Sequence, residues 1–330
     1  MSIPATMCAL LQTTLDGPRD LRLIDDAPVP EPAAGEVLIR VGAAGVDFAD
    51  VMQTHGAYRG GPRPPCVAGF EAAGTIVAAG AGVTGRTVGD RVVGTGSGAF
   101  AGYMTLPAEA AVPVPPGWAD EQALGLVLNW ATALAALKPL GRVAAGDTVL
   151  VHAAAGGVGQ AAVTMARHLG ATVIATASPE KHGTVRALGA DHVLDRHTAD
   201  VAGEVRRITG GRGADLVLES AGGASFGTAL AAARRVTGRV VVYGRAGGTA
   251  AVTNHDLVFE HQVQVIGLHI GVLATAEPRM YAALLADLAG LIAAGVYRPG
   301  RPTVSDLAEG PEVLARMQAG VTVGKLALRP

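Results

Sequence analysis

The stretch Thr148-Val-Leu-Val-His-Ala-Ala-Ala-Gly-Gly-Val-Gly-Gln-Ala-Ala162 constrains the fold of this chain more than any other. It opens as a short β-rich apolar run, Thr148 to Val151, long enough for one buried parallel strand. It then turns through Gly156, Gly157 and Gly159 and continues as an Ala- and Val-rich helix toward Leu169. Strand, glycine turn and helix together make a phosphate site. The turn is tight, the backbone comes close to a pyrophosphate, and the helix N-terminus offers free N–H groups and a positive dipole end. The spacing departs from G-x-G-x-x-G, because Ala153 takes the first glycine position of the wider A-x-x-G-x-x-G pattern. In a chain with 46 glycines an isolated cluster reads as an ordinary turn, and it is the flanking strand and helix that point to a dinucleotide. Ala154, Gly156, Gly157, Val158 and Gly159 would then lie against it.

At 330 residues the chain has room for about two domains. Apolar residues make up 49%, charged residues 16%, and the formal net charge is -2. These values describe a core-forming protein with no electrostatic case for nucleic acid or an anionic membrane surface. The apolar runs fall short of the ~20 residues that span a bilayer. No basic segment followed by an apolar one marks the start as a signal peptide. Cys8 and Cys66 make neither a disulfide framework nor a Cys-rich zinc lobe, so the expected location is cytoplasmic.

The texture changes along the chain. Leu21–Leu23, Glu36–Val41, Gly74–Ala79 and Asp90–Gly94 are short β-prone runs separated by Pro- and Gly-rich stretches, which suggests a compact, partly open barrel. A helical Ala/Leu pattern covers Gln122 to Leu137. Strands at Thr148–Val151, Thr172–Thr176, His192–Leu194, Asp215–Glu219, Arg239–Tyr243 and Gln264–Leu268 then alternate with helices, including Gln160–Leu169, Lys181–Leu188, Val201–Thr209 and Phe226–Val236. That alternation is the doubly wound α/β signature. A long helix, Pro278 to Ala294, a strand-like run, Thr303–Leu307, and a last strand, Lys325–Leu328, follow. The last strand has no βα partner, so the tail is expected to return to the first domain. The expected division is residues 1–122 with 269–330, around a nucleotide domain at 123–268.

With these residues in view, the chain resembles the zinc-independent branch of the medium-chain dehydrogenase/reductase superfamily, in particular its NADPH:quinone oxidoreductase and enoyl reductase group. The resemblance runs through Gly45-Val-Asp-Phe-Ala-Asp50, Gly69-Phe-Glu71, Val88-Gly-Asp-Arg-Val92, Ala153-Ala-Ala-Gly-Gly-Val-Gly159, Leu188-Gly-Ala-Asp-His192, Gly210-Gly-Arg-Gly-Ala-Asp215 and Gly324-Lys325. It implies a GroES-like catalytic domain built from both chain ends around a Rossmann domain.

Zinc alcohol dehydrogenases of the superfamily hold their metal with a Cys, the His of a Gly-His-Glu motif and a second Cys. Here Asp47 stands at the first position, Phe70 at the His and Leu128 near the second Cys. Zinc needs three protein ligands of N, S or O type, and phenylalanine supplies none, so no metal is expected. The neighbouring His55 is a lone loop histidine of a kind that is ordinarily solvated. Without a Lewis acid an alkoxide is poorly stabilised, so quinones and α,β-unsaturated carbonyls, which spread negative charge themselves, are the fitting hydride acceptors. The protein's part is then to hold nicotinamide against the acceptor and donate a few hydrogen bonds.

In NAD-preferring Rossmann sites an acidic residue about 20 positions after the glycine turn binds the ribose diol. That count lands at Thr176, with no acid at the strand end. Ser178 and Lys181 follow instead, and Arg196 lies after the next strand. A hydroxyl and two cations suit a 2′-phosphate and point to NADPH. An ordinary helix-start lysine partnered by Glu180 is the plainer alternative, although lysine is scarce here, confined to Lys138, Lys181 and Lys325. The resemblance further implies cofactor contacts at Thr132, at Ala221 and Gly222, at Tyr243, Gly244 and Arg245, at Leu268 and His269, and at Lys325. His269 has the chemistry of a proton donor, although a packed or solvated histidine is the commoner case.

Relatives often carry Asn where this chain has Asp47, and some have Tyr where Met52 stands. Asp47 is therefore read either as an acid of raised pKa, as a carboxylate paired with a cation, or as the cap of the turn Phe48–Met52. Tyr58 is the nearest substitute phenol. Finally, Val258–Gly267 reads as the edge strand of the Rossmann sheet, and in this superfamily that edge commonly pairs with its symmetry mate, so a homodimer is expected. An enoyl-thioester reductase is the closest alternative activity, and a non-catalytic NADPH-binding protein the alternative from another class.

Overall fold

A computed structural model describes residues 3–330. The chain forms two compact units, one of Met1–Leu128 with Pro299–Pro330 and one of Asn129–Arg298. These limits differ from the expected ones. Residues 269–298 belong to the nucleotide unit, because the helices they form continue its chain instead of joining the β-rich unit.

The β-rich unit begins with β1 (Thr6–Gln12), β2 (Arg22–Pro28), β3 (Glu36–Val46), α1 (Phe48–Thr54), β4 (Cys66–Val67) and β5 (Glu71–Ala79). It continues with β6 (Arg91–Thr95), β7 (Tyr103–Pro107), β8 (Val112–Pro113) and α2 (Asp120–Ala123). Along β3, Val37, Leu38, Ile39 and Val41 are buried while Arg40 is exposed. Their neighbours include Ile76, Val92, Phe100, Met104 and Leu106, which together form the core. β1 escaped the sequence reading, since its residues lack the clean alternation that marks a half-buried strand.

The nucleotide unit carries α3 (Ala131–Leu137), β9 (Thr148–Val151), α4 (Gly157–His168), β10 (Thr172–Ala177), α5 (His182–Ala187), β11 (His192–Asp195) and α6 (Val201–Ile208). Then come β12 (Leu216–Glu219), α7 (Ala224–Ala232), β13 (Arg239–Val242), β14 (Gln264–Gly267), α8 (Ile270–Ala276) and α9 (Pro278–Ala293). Among the described residues the sheet has six strands in the order β11-β10-β9-β12-β13-β14, and every pairing is parallel. β9 is buried at every residue, as its uninterrupted apolar run requires. The strand order reverses between β9 and β12. That switch point opens a crevice beyond the C-terminal strand ends, where ligands of such sheets bind.

The chain then returns to the first unit through β15 (Thr303–Asp306), α10 (Gly310–Gln318) and β16 (Leu326–Arg329). β16 adds antiparallel to β3 and parallel to β15, completing the order β15-β16-β3-β5-β6-β8, with β7 also on β3. β16 thus lies in one sheet with β3 and β5.

Two expected elements are interrupted. The helix foreseen over 122–137 breaks at Leu124 and Gly125, where Gly125 has φ +87° and its N–H donates to Glu71 Oε1 at 2.9 Å. A single π-type turn, Leu126–Trp130, leads into α3. The edge stretch 258–267 is half helical: Asp256–His261 is another π-type turn, Gln262 lies in the left-handed region, and only Gln264–Gly267 is strand. Among the described residues no helix is long and apolar enough to cross a membrane.

Candidate functional site

In the β-rich unit the strand register assembles a buried charge cluster. Gly45 on β3 pairs with Glu71 on β5 and with Ala327 on β16. Lys325, just before β16, and Asp47, just after β3, are thereby brought alongside Glu71. The Lys325 Nζ lies 2.6 Å from Asp47 Oδ2 and 2.6 Å from Glu71 Oε2. Glu71 is wholly buried and Asp47 nearly so. Glycine at position 45 leaves room for this pair, because a Cβ there would displace the Glu71 carboxylate and come within 2.9 Å of the lysine nitrogen.

A third carboxylate joins them. Asp50, at 2% exposure, accepts the Asp47 backbone N–H through Oδ2 at 2.7 Å, while its Oδ1 is buried without a hydrogen-bond partner among the described residues. Three acids thus share one ammonium, and desolvation decides who keeps a proton. Burial, with Asp47 adding repulsion, pushes the Asp50 carboxyl well above its usual range. Burial likewise raises Glu71 against the opposing pull of Lys325. Asp47 and Glu71 in turn raise Lys325 despite its burial, so the ammonium is permanent. Asp50, which sequence reasoning passed over, is thus the carboxyl that burial disfavours most as an anion. Its only signal was the Asp47-x-x-Asp50 spacing at a helix start. Asp47 itself is both the N-cap of α1 and the carboxylate paired with a cation.

Around the cluster, Met52 is half-buried on α1 and Tyr58 half-buried on the loop beyond it. The Tyr58 ring meets Phe70 with centroids 4.9 Å apart and planes tilted by 38°. Burial, then the charges of Asp50 and Asp47, raise the Tyr58 phenol above its usual value. A zinc ion does not fit this donor set. Phe70 has no donor atom, the two carboxylates already share the Lys325 ammonium, and Leu128 lies in the π-type turn after Gly125. Among the described residues no group of three or more His, Cys, Asp or Glu side chains is arranged so that it could hold a metal ion. The Lys325 ammonium is held by these two carboxylates.

In the nucleotide unit the glycine turn runs from β9 into α4 as foreseen. Ala153, at the departed glycine position, takes the left-handed φ of +50°. Gly159 is obligatory, since a Cβ there would strike the Ala153 carbonyl and the Ala154 backbone. It lets α4 seat against the strand end. A Cβ on Gly157 would press on the Asn129 side chain at 3.1 Å. Thr132 is buried within α3, and Leu268, also buried, donates its N–H to Val242 at 2.8 Å. Tyr243, Gly244 and Arg245 follow the end of β13, and Ala221 and Gly222 the end of β12. His269 is different from the proton donor considered above: exposed at the start of α8, it accepts the Val272 N–H through Nδ1 at 3.2 Å and so caps a helix.

Beyond β10 and β11 the structure brings three other predicted residues together. Ser178 follows β10 and opens the 3-10 turn Pro179–Lys181. Arg196 follows β11 and donates Nε to Ser178 Oγ at 3.0 Å. Lys181 is nearly buried, and burial, then the proximity of Arg196, lower its pKa. The two cations repel one another while the hydroxyl is hydrogen-bonded to Arg196, an arrangement suited to an anion.

Comparison with known proteins bears on these two constellations. The family model described as "Alcohol dehydrogenase GroES-like domain" matches residues 33–116, and "Zinc-binding dehydrogenase" matches residues 157–289. The second match does not include positions 47, 70 or 128. A mycocerosic acid synthase-like polyketide synthase of Mycobacterium tuberculosis is 36% identical over 320 residues. The match covers 94% of this chain but only 15% of that synthase. A mycobacterial protein solved in complex with NADPH superimposes with a TM-score of 0.92 at 34% identity, covering 98% of this chain and 100% of that one. A Pseudomonas syringae quinone oxidoreductase does so with a TM-score of 0.91 at 31% identity, with coverage of 98% and 100%. Sequence identity at this level, sustained along whole chains with the same two-unit fold, means that the chain belongs to the medium-chain dehydrogenase/reductase superfamily, in its quinone oxidoreductase and enoyl reductase group.

Proposed function

We propose that the protein is an NADPH-dependent reductase that delivers hydride to a quinone or an α,β-unsaturated carbonyl without a catalytic metal. The observation that carries this reading is the Lys325 ammonium held between Asp47 and Glu71 beside Phe70, which places a fixed lysine charge where a zinc donor set would be needed. NADPH, when bound, supplies the hydride. Ser178, Lys181 and Arg196 hold its 2′-phosphate, and the glycine turn with the α4 N-terminus receives its pyrophosphate. Lys325 holds the Asp47 carboxylate in place through a 2.6 Å ion pair. Burial pushes the Asp50 carboxyl well above the usual carboxylate range, which makes it the readiest acid of this cluster, and Tyr58 supplies a phenol that donates to an acceptor oxygen.

The polyketide synthase match favours one alternative, reduction of an enoyl thioester. NADPH oxidation measured against a benzoquinone, an enone and an enoyl thioester separates these readings. The present account expects the highest kcat/KM with quinone or enone. Higher kcat/KM with the thioester assigns the alternative, and tight NADPH binding with no turnover of any acceptor makes the protein a non-catalytic NADPH binder.

The reading includes a homodimer through β14. That strand ends the sheet, and Val258, Phe259 and Val265 on and before it are exposed. Burying such an edge against a second copy removes unpaired backbone groups and apolar surface together. Val265→Lys is expected to give a monomer in sedimentation velocity. A wild-type protein that already sediments as a monomer would contradict the assignment.

A further inference from the structure

The strand ends on either side of the switch point are joined by a buried polar clamp that the hydride-transfer reading leaves unused. His152 directly follows β9 and Glu219 ends β12. His152 Nδ1 lies 2.9 Å from Glu219 Oε2 and 2.6 Å from Ser225 Oγ, and Ser225 donates to the same Glu219 oxygen at 2.9 Å. The other oxygen, Oε1, accepts the backbone N–H groups of Ala221 and Gly222, each at 2.7 Å. Four donors therefore meet the four lone-pair sites of one carboxylate that has no exposure to solvent. Burial alone would raise its pKa, but the hydrogen bond and charge of His152 with the Gly222 and Ser225 bonds outweigh it, and Glu219 stays ionised. With the carboxylate ionised, the bonding pattern assigns the imidazole proton to Nδ1.

Ser, His and Glu in contact are the residue types of a hydrolase triad, yet this is not one. Serine and carboxylate share the same imidazole nitrogen, so no second ring nitrogen is placed to take the serine proton. The His152 Nε2 is instead buried without a hydrogen-bond partner among the described residues. The cluster holds backbone instead, through the Glu219 Oε1 bonds to the Ala221 and Gly222 N–H groups.

That backbone is the wall of the crevice. His152 immediately precedes Ala153 and the glycine turn. The 220–223 loop is in turn zipped to the loop after β13: Ala246 N donates to the Ser220 carbonyl at 3.2 Å and Gly223 N to the Gly248 carbonyl at 3.2 Å. Gly222 at φ +69° and Gly244 admit this contact, since a Cβ on either would run into the facing carbonyl. One carboxylate thus ties three successive strand-end loops into one piece.

We propose that Glu219, with His152 and Ser225, is a positioning residue for the dinucleotide: it fixes the glycine turn and the 220–223 and 244–248 loops at the separation that receives the pyrophosphate and nicotinamide ribose. This rests on the NADPH reading above. A positioning role differs from plain stabilisation in what the conservative variant restores. In Glu219→Gln the amide oxygen still accepts from Ala221 and Gly222, and the amide nitrogen donates to Ser225 and to an Nδ1 whose proton has moved to Nε2. Loop spacing survives although the charge is gone. In Glu219→Ala every one of these bonds is lost.

The test is NADPH affinity by fluorescence titration of folded wild type, Glu219→Ala, Glu219→Gln and Ser225→Ala, with kcat at saturating NADPH. The expected result is a Kd raised about 10-fold or more in Glu219→Ala, the loss of charge-assisted hydrogen bonds. Ser225→Ala, which removes one donor and serves if Glu219→Ala does not fold, is expected to raise Kd about 3-fold. Glu219→Gln is expected to lie within about 3-fold of wild type, and kcat to change little throughout. Unchanged NADPH affinity in folded Ser225→Ala and Glu219→Ala, with only a lower melting temperature, overturns the inference while leaving the NADPH reading intact. A wild-type protein that fails to bind NADPH removes both.

Discussion

Lys325→Met is expected to lower the unfolding free energy by about 3–5 kcal/mol, a loss that follows from leaving buried carboxylates without their counter-charge. At the usual conversion the melting temperature falls by roughly 10 °C. Methionine fills much the same space beside Gly45, so the loss is electrostatic and has a pH signature. Without the ammonium, the Glu71 carboxyl, already raised by burial, loses the opposing pull of Lys325 and rises further. A carboxylate raised on folding favours the native state below its unfolded pKa and loses that contribution as pH rises through the folded value. The variant is therefore closest to wild type near pH 4 and falls furthest behind at pH 7–8. The wild type carries a weaker version of the same slope through Asp50 and Glu71, whose folded values are raised above 3.8 and 4.5. The raised Lys325 works in the other direction, contributing stability below its unfolded value of 10.5 and losing it only in strong alkali. Melting curves from pH 4 to pH 9 check all of this. Adding Asp47→Asn and Glu71→Gln to Lys325→Met is expected to recover most of the loss; a loss that persists with the carboxylates neutralised points to packing instead.

Lys181→Ala is expected to weaken NADPH about 10- to 150-fold while leaving NADH within about 3-fold of wild type, the worth of one charge-assisted contact to a phosphate. The reason lies in the geometry after β10. Ser178, Lys181 and Arg196 come together because consecutive parallel strands end side by side, and a bound dianion would relieve the mutual repulsion of the two cations. NADH has a hydroxyl there and gains nothing from either cation. Parallel titrations of wild type and variant with both nucleotides measure the ratio. Equal losses for NADPH and NADH would mean that Lys181 holds the adjacent turn and reads no phosphate.

How far residues declare such arrangements depends on the distance over which they act. The glycine turn, Ser178 and Lys181 were legible because each belongs to a local strand–turn–helix unit whose spacing has one geometric solution. Arg196 needed only the assumption that the next strand lies alongside. The Lys325 bridge was not legible, since it joins residues 278 apart and depends on β16 landing on β3 in one register. Asp50 was hidden for another reason: it looks like any helix-start acid until burial and two neighbouring carboxylates decide its proton. His152 and Glu219 meet across the switch point, and neither lies in a motif that names the other. The long helix foreseen over 122–137 failed at Gly125, where a tertiary hydrogen bond to Glu71 outweighed a run of good helix formers.

The central claim is that hydride transfer here runs on lysine-anchored carboxylates and NADPH, with no metal in the chemistry. One measurement bears on it most directly: NADPH oxidation with a benzoquinone, by protein dialysed against a strong chelator and assayed with and without added zinc. The account predicts the same kcat/KM before and after chelation and no gain from zinc. Activity that disappears with the chelator and returns only with stoichiometric zinc would contradict it.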